Sequence, residues 1–338
     1  DAYRRLADGQ IMKSTVPLET GESSLTTNIG SVQNAGIELG VNFGVIRNQN
    51  FTWDVNVAFA RNWSKIKELP SGDDVSNNWF IGERLNVLRD YTYAGVITAD
   101  GVTMHTINGD KHYTLQEVYD KYGPKSPNKL KWYEGQMAVN DWNDDGKIND
   151  EDKQIYGCTD PKWTGSLSST MTYKGFDFSF MLYTKQGQWS RSYFHEQYMD
   201  ISDRGRQKMS FDYYIPAGTP VLDKATGDIT YLETPHMGAY PYPNNYEKTG
   251  GGYFSKSSSG VRYQKTSFVK VKNITLGYTF PKKWMSKIAV KHLRLYVNVL
   301  NPFCFTGYDG FDPEWASANL TDGGPASVTY QIGANIKF

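Results

Sequence analysis

The final stretch of the chain, residues 328–338, alternates without a fault. Val328, Tyr330, Ile332, Ala334, Ile336 and Phe338 point one way, and Thr329, Gln331, Gly333, Asn335 and Lys337 the other. Successive side chains leave a strand on opposite faces, so a period of two means a β-strand with one apolar side. Such a strand needs hydrogen-bonded neighbours for its backbone and a cover for its apolar face. The cover is either a second sheet, as in a soluble sandwich, or a non-aqueous medium.

The same pattern recurs upstream. Residues 37–45 set Ile37, Leu39, Val41, Phe43 and Val45 against Glu38, Gly40, Asn42 and Gly44. After the polar turn Arg47-Asn48-Gln49-Asn50, residues 51–59 set Phe51, Trp53, Val55, Val57 and Phe59 against Thr52, Asp54 and Asn56. Residues 163–173 oppose Trp163, Leu167, Met171 and Tyr173 to a hydroxyl row of Thr164, Ser166, Ser168, Thr170 and Thr172. The turn Lys174-Gly175 leads into Phe176, Phe178, Phe180 and Leu182, and later Leu293, Leu295, Val297 and Val299 alternate with Arg294, Tyr296 and Asn298. Residues 268–280 change register between Val271 and Ile274, which predicts a bulge near Lys272-Asn273. With a weak first strand around residues 3–11, about eight strands are expected.

Loop lengths decide between the covers. The connections alternate: 46–50 short, 68–162 long, 174–175 short, 188–263 very long, 281–288 short and 302–326 long. Transmembrane barrels have tight turns on one rim and large loops on the other, whereas loops of this length are rare in a compact domain. The strand-end aromatics Trp53, Trp163, Tyr173, Tyr278, Phe280 and Trp284 suit interfacial girdles. Composition agrees: aromatic content is 14%, yet hydrophobic content is only 39% and mean hydropathy is −0.58. A barrel strand needs only about 9–11 alternating residues, so the absence of a long apolar run is no objection. Lys plus Arg and Asp plus Glu both count 36, which leaves no basic field for nucleic acid. The two cysteines, Cys158 and Cys304, are too few for a disulfide scaffold, and both pairing and free thiols stay open.

Six segments, in order, resemble one family: NIGSVQNAGIELGVNF (28–43), DWNDDGKINDED (141–152), YKGFDFSFMLY (173–183), SFVKVKNITLGYTFP (267–281), LRLYVNVLNPFCFTGYDGFDPE (293–314) and YQIGANIKF (330–338). Together they resemble the C-terminal third of a SusC/RagA-type TonB-dependent transporter, and the terminal Phe resembles the insertion signal of outer-membrane barrels. The resemblance implies an all-β fold, an antiparallel transmembrane β-barrel of about 22 strands around a plugged lumen. Residues 1–338 would be its C-terminal part, about eight strands with long extracellular loops, in contact with outer-membrane lipid. It further implies a SusD-like surface lipoprotein as lid, import of glycans or peptides, and energy from the TonB complex. The start, Asp1-Ala-Tyr-Arg-Arg, has neither an initiator Met nor a signal core, so a fragment of a longer chain is expected, with plug and early strands elsewhere. A secreted or surface-attached carbohydrate-binding β-protein with a calcium loop is the alternative.

The strongest local chemistry is Asp141-x-Asn143-x-Asp145-Gly146-x-Ile148-Asn149-x-x-Asp152. Calcium takes six to eight hard oxygens around a tightly turned loop. By that template the ligands are Asp141, Asn143, Asp145, the Lys147 carbonyl, Asn149 and Asp152, with Gly146 at the sharp turn. Asp152 is one methylene shorter than the usual Glu, and the ion's role would be structural. Upstream, Thr114-Leu-Gln-Glu117 reads as a capping box opening a helix to about Tyr122. In the loop 188–263, Trp189, Tyr193, Tyr198, Tyr213, Tyr214, Tyr240, Tyr242, Tyr246 and Tyr253 could stack on sugars or a lid, though most are expected to pack on one another. No enzyme is expected. The histidines form no HExxH pattern, and the carboxylates of Asp312-Pro-Glu314, split by a proline, are not expected to converge on one bond.

Overall fold

A computed structural model describes residues 1–9, 11–15, 24–28, 30–69, 72–122, 133–198, 212–242, 262–317 and 326–338. Its centre is one antiparallel sheet of eight strands whose spatial order equals their chain order. They are β1 (Ala2–Ala7), β2 (Ser31–Arg47), β3 (Phe51–Glu68), β4 (Trp163–Tyr173), β5 (Phe176–Gln186), β6 (Phe268–Thr279), β7 (His292–Thr306) and β8 (Thr329–Lys337). The order is linear: among the described residues β1 pairs only with β2 and β8 only with β7, so the eight strands do not close on themselves.

The period-two pattern sets the register. Leu295 lies opposite Leu276's neighbour Tyr278 on one side and Ala334 on the other, while Val297 lies between Leu276 and Ile332. Apolar residues therefore form continuous rows across the sheet. Leu295 is 44% exposed, Val297 45% and Ile332 86%, and among the described residues no second sheet packs on them. On the opposite face, the Arg294 guanidinium grips Asp177 with an Nε···Oδ1 distance of 2.9 Å, the space between them left by Gly277. Asn298 accepts from Thr275 (2.9 Å) and donates to Gln331 (3.0 Å) on that same face.

One aromatic row, Phe51, Tyr173, Phe176 and Tyr278, runs across four adjacent strands, with the Phe176 and Tyr278 rings 4.5 Å apart. It lies at the rim of tight turns. Between β4 and β5 the turn is only Lys174-Gly175, both at positive φ (44° and 91°), and a Cβ on Gly175 would come within 2.7 Å of the Thr279 carbonyl. Between β2 and β3 the Asn48 side chain accepts from the backbone amides of Asn50 and Phe51, which closes an Asx turn. The link from β6 to β7 is a short helical turn, Lys282–Met285 followed by Ser286–Ile288. Every long connection, between β1 and β2, β3 and β4, β5 and β6, and β7 and β8, lies on the other rim.

One sequence reading changes. Residues 3–11 are not one strand: β1 ends at Ala7, Gly9 turns the chain at φ 64°, and Ile11–Thr15 pairs instead with Ser24–Asn28. A glycine at positive φ ends a strand more readily than apolar alternation extends it. The bulge at Lys272 is present, since Met181 faces Asn273 and Leu182 faces Val271.

The connection from β3 to β4 has its own core. Helix α1 (Leu115–Tyr122) buries Val118, Tyr119 and Tyr122 against Ile97, Met104 and Val139. Its N-terminus is capped reciprocally, Thr114 N donating to Glu117 Oε2 (2.8 Å) and Glu117 N to Thr114 Oγ1 (3.3 Å). No helix among the described residues is long and apolar enough to cross a membrane, which says nothing of strands.

Gly333 lies beneath the Tyr296 ring, 2.4 Å from where a Cβ would sit, whereas Gly40 has open space on the same face. Gly333→Val should lower stability by about 1–3 kcal/mol in urea unfolding, while Gly40→Val should stay within about 0.5 kcal/mol.

Candidate functional site

The loop from Asp141 to Asp152 links the α1 core to the ribbon formed by Lys153–Cys158 and Val87–Tyr91. Asp141 is fully buried. Its Oδ2 accepts from the Tyr122 hydroxyl (2.6 Å), Gly146 N (2.8 Å) and Lys121 Nζ (3.3 Å), yet its Oδ1 is buried with no hydrogen-bond partner. Asp152, also fully buried, accepts from Asn143 N (3.3 Å) and Asn149 N (2.8 Å). Burial pushes the Asp152 carboxyl up, backbone amides pull it down, and the charge of Asp141 raises it further. Asn143 Oδ1 takes the amide of Asp145 (3.1 Å) and Asp145 Oδ1 that of Lys147 (2.7 Å), so these side chains wind the loop. Gly146 holds the turn at φ 83°. The six sequence-chosen positions thus share one loop, with Asp145 and Lys147 at its exposed side. Among the described residues, no three His, Cys, Asp or Glu side chains are grouped to hold a metal by themselves.

Asp312 and Glu314, split by a proline, meet instead on the buried Lys270. Its Nζ lies 2.6 and 2.8 Å from the two Asp312 oxygens and 2.6 Å from Glu314 Oε2, and Lys272 adds a second contact to Glu314 at 2.7 Å. Pro313 opens a 3-10 turn capped by Asp312, whose Oδ1 takes Glu314 N at 2.9 Å, and that turn brings both carboxylates to one side. The result fastens the β7–β8 connection to the wall at β6.

A second fastening was invisible in the sequence. His195 Nδ1 lies 2.6 Å from Ser192 Oγ and its Nε2 2.7 Å from Asp309 Oδ1, with Tyr240 hydrogen-bonded to Asp309 Oδ2 and Tyr308 to Ser192 (2.6 Å). The partners are 3, 45 and 114 residues from His195, too far apart for a spacing motif to show all of them. A serine–histidine–aspartate chain of this kind serves hydrolases, but here Ser192 is fully buried and already bonded to a tyrosine hydroxyl. Its evident use is to clasp the β5–β6 and β7–β8 connections together.

The loop aromatics mostly pack, as expected. Tyr214 is fully buried with its hydroxyl on Glu134 (2.7 Å), Tyr213 is buried, and Tyr240 stacks on His195. Trp189 sits beside Tyr156 (5.7 Å between centroids) and lines a rim cavity of about 630 Å³ with Trp63. The Tyr198 side chain, Tyr246 and Tyr253 lie outside the described residues. Cys158 and Cys304 are both free.

An open antiparallel sheet with one exposed apolar face and all long loops on one rim defines a barrel wall, and comparison with known proteins gives its kind. The chain is similar over its whole length to TonB-dependent receptors, and its sheet has the fold of part of an antiparallel β-barrel wall. The TonB-dependent receptor P39 of Formosa agariphila is 29% identical over 369 aligned residues, covering 100% of this chain and 33% of the relative. The TonB-dependent receptor SusC of Bacteroides thetaiotaomicron is 28% identical, covering 100% of this chain and 30% of the relative. Among solved structures, the RagAB peptide transporter superposes with a TM-score of 0.64 at 18% identity, covering 100% of this chain and 33% of that one. No family model matches the chain. The chain spans about a third of the length of the relatives it matches.

Burial alone would raise the Asp309 carboxyl, but hydrogen bonds from His195 and Tyr240 hold it below the usual carboxylate range. A depressed carboxyl contributes stability above its unfolded pKa and loses it as pH falls through the folded value. The clasp should therefore loosen in acid, below the ordinary carboxylate range, and Asp309→Asn should loosen it at neutral pH. Hydrogen exchange of residues 189–195 should speed up by roughly tenfold in the variant, with β5 and β6 unchanged.

Proposed function

We propose that this chain forms wall and mouth of a TonB-dependent outer-membrane transporter that imports glycans or peptides. The observation that carries the reading is the uncovered apolar face, continuous from Ile37 and Leu39 through Leu276, Leu295 and Val297 to Ile332. Water would penalise such a surface at about 25 cal/mol per Å², and bilayer lipid accepts it. The polar face lines a hydrated passage, where the Arg294–Asp177 pair and the Asn298 network stay hydrogen-bonded. The open edges of β1 and β8 are completed by further strands of a larger barrel, because unpaired backbone groups in lipid cost several kcal/mol each.

On the extracellular rim, the loops clasped at His195 and Lys270 present the mouth to a SusD-like surface lipoprotein, and TonB supplies the energy. The relatives support this reading by their names: receptors in two bacteria, and in one solved structure a peptide transporter. Glycan and peptide remain equal candidates as cargo.

The loop 141–152 is proposed to hold a structural Ca2+. Its donor set is of the right chemistry: Asp141, Asn143, Asp145, Asn149 and Asp152 offer side-chain oxygens and Lys147 its carbonyl, and the buried Asp141 Oδ1 has no hydrogen-bond partner. A bound cation would neutralise the two buried carboxylates and pin the α1 core to the ribbon below it. Tb3+ bound in the full-length receptor should luminesce through Trp142, and Asp145→Ala should weaken that binding by about tenfold. Absence of sensitised emission, together with unchanged hydrogen exchange of residues 135–160 on chelation, rejects the calcium site.

The membrane reading is tested by folding the full-length receptor into lipid vesicles. Leu295→Arg, on the apolar face, should cost about 2–4 kcal/mol, and Asn298→Arg, on the polar face, much less. Equal costs, or a receptor monodisperse without detergent, would refute it.

A further inference from the structure

We infer that the long-loop rim of this sheet carries a docking site for the phosphorylated headgroup of an outer-leaflet glycolipid. The inference rests on the transporter reading above. It starts from face parity. On β3 the apolar-face residues Phe51 to Phe59 are followed on that same face by Arg61, Trp63 and Lys65. Across the neighbouring strands, Ala2, Ile37 and Arg61 form one row, Arg4, Ala35 and Trp63 the next, and Leu6, Gln33 and Lys65 the third. Three cations thus appear on the lipid side of the wall within three rows, with no carboxylate among the nine residues.

Height places them. Phe51 lies in the aromatic row at the tight-turn rim, and Arg61 comes ten residues later on the same strand. That distance is about 33 Å along the strand, or about 25 Å along the membrane normal at a tilt near 40°, the height of a barrel's apolar band. The Phe59 and Trp163 rings, 5.7 Å apart, mark the upper aromatic boundary just below. The cations therefore begin where the acyl chains end.

Their partners distinguish them from three wall cations of the opposite face. Arg47, Lys270 and Arg294, on the polar face, each hold a carboxylate. Arg61 instead lies over the Trp63 ring at 4.6 Å, and Arg4 donates to Gln33 at 3.2 Å. The site is also concave. Pairing of β3 with β4 stops at Ala60, and beyond it Glu83 O and Gly82 N take up Ile66, which leaves the 630 Å³ cavity between them. Arg61, Lys65, Arg84 and Lys162 line it against the single carboxylate of Glu83, with Trp63 and Trp189 as walls. Arg84 is held by the backbone carbonyls of Asn62 (3.0 Å) and Asp160 (3.2 Å), so its position is fixed. Guanidinium and ammonium groups around a small open cavity match a phosphate monoester. A lipid headgroup is favoured over a soluble anion because Arg4, Arg61 and Lys65 share their face with the apolar belt.

The test is native mass spectrometry of the detergent-solubilised full-length receptor, titrated with diphosphorylated lipid A and, separately, with its dephosphorylated form. The diphosphorylated lipid should be retained selectively, and Arg61→Gln with Lys65→Gln should weaken retention by about tenfold or more. Lys287→Gln, on the tight-turn rim, should change nothing. Arg61→Lys with Lys65→Arg should preserve most of the binding, which separates lost charge from lost folding. Equal retention of both lipids, or full retention by the double Gln variant, would overturn the proposal. Displacement by millimolar inorganic phosphate would also overturn it, by showing a plain anion site. A receptor that stays monodisperse without detergent would fail the transporter reading itself, before any lipid is added.

Discussion

The structure depends on where the apolar face of each strand goes. The strands carry one, the register aligns them, and among the described residues no second sheet covers them. Everything charged in the wall must then sit on the other face or at a rim, because a mid-plane Arg or Lys on the lipid side costs about 2–4 kcal/mol. Arg47, Lys270 and Arg294 obey that rule with carboxylate partners on the polar face, and Arg4, Arg61 and Lys65 obey it by height. The tight turns follow as well, since strands joined by two residues at positive φ cannot shift register without turning the whole face over.

The long connections are not loose ends. The β3–β4 connection folds around α1 and its own core, and the β5–β6 and β7–β8 connections are tied down by buried polar groups. Lys270 with Asp312 and Glu314 fixes the β7–β8 connection to the wall, while His195 with Ser192, Asp309 and Tyr240 fixes that connection to the β5–β6 one. Ion pairs this deeply buried add little net stability, because desolvation offsets their attraction. What they add is position: removing one partner leaves a buried charge, so alternative placements of the loop are disfavoured. A mouth that must meet a lid protein benefits from such definition.

The sequence was legible wherever the physics is local. Alternation gave seven strands and their faces, the switch between Val271 and Ile274 gave the bulge, and Thr114 with Glu117 gave the helix start. It misled where two local signals competed, as at Gly9, where a turn splits what alternation reads as one strand. It was silent where partners come from distant connections. His195 meets Asp309 across 114 residues, and Lys270 meets Asp312 across 42. The basic rim lies between these cases: Arg61 and Lys65 were plain to read, but their meaning needed the strand face and the neighbouring rows.

The central claim is that the uncovered face meets lipid, and nitroxide scanning of β7 in the full-length receptor tests it most directly. Spin labels placed singly from residue 293 to 299, in vesicles, would be read for collision with oxygen and with a water-soluble nickel chelate. The account predicts strict alternation: oxygen-accessible and nickel-protected at 293, 295, 297 and 299, the reverse at 294, 296 and 298. Uniform protection from both reagents at the odd positions would mean that a second protein layer covers that face, and would contradict the account.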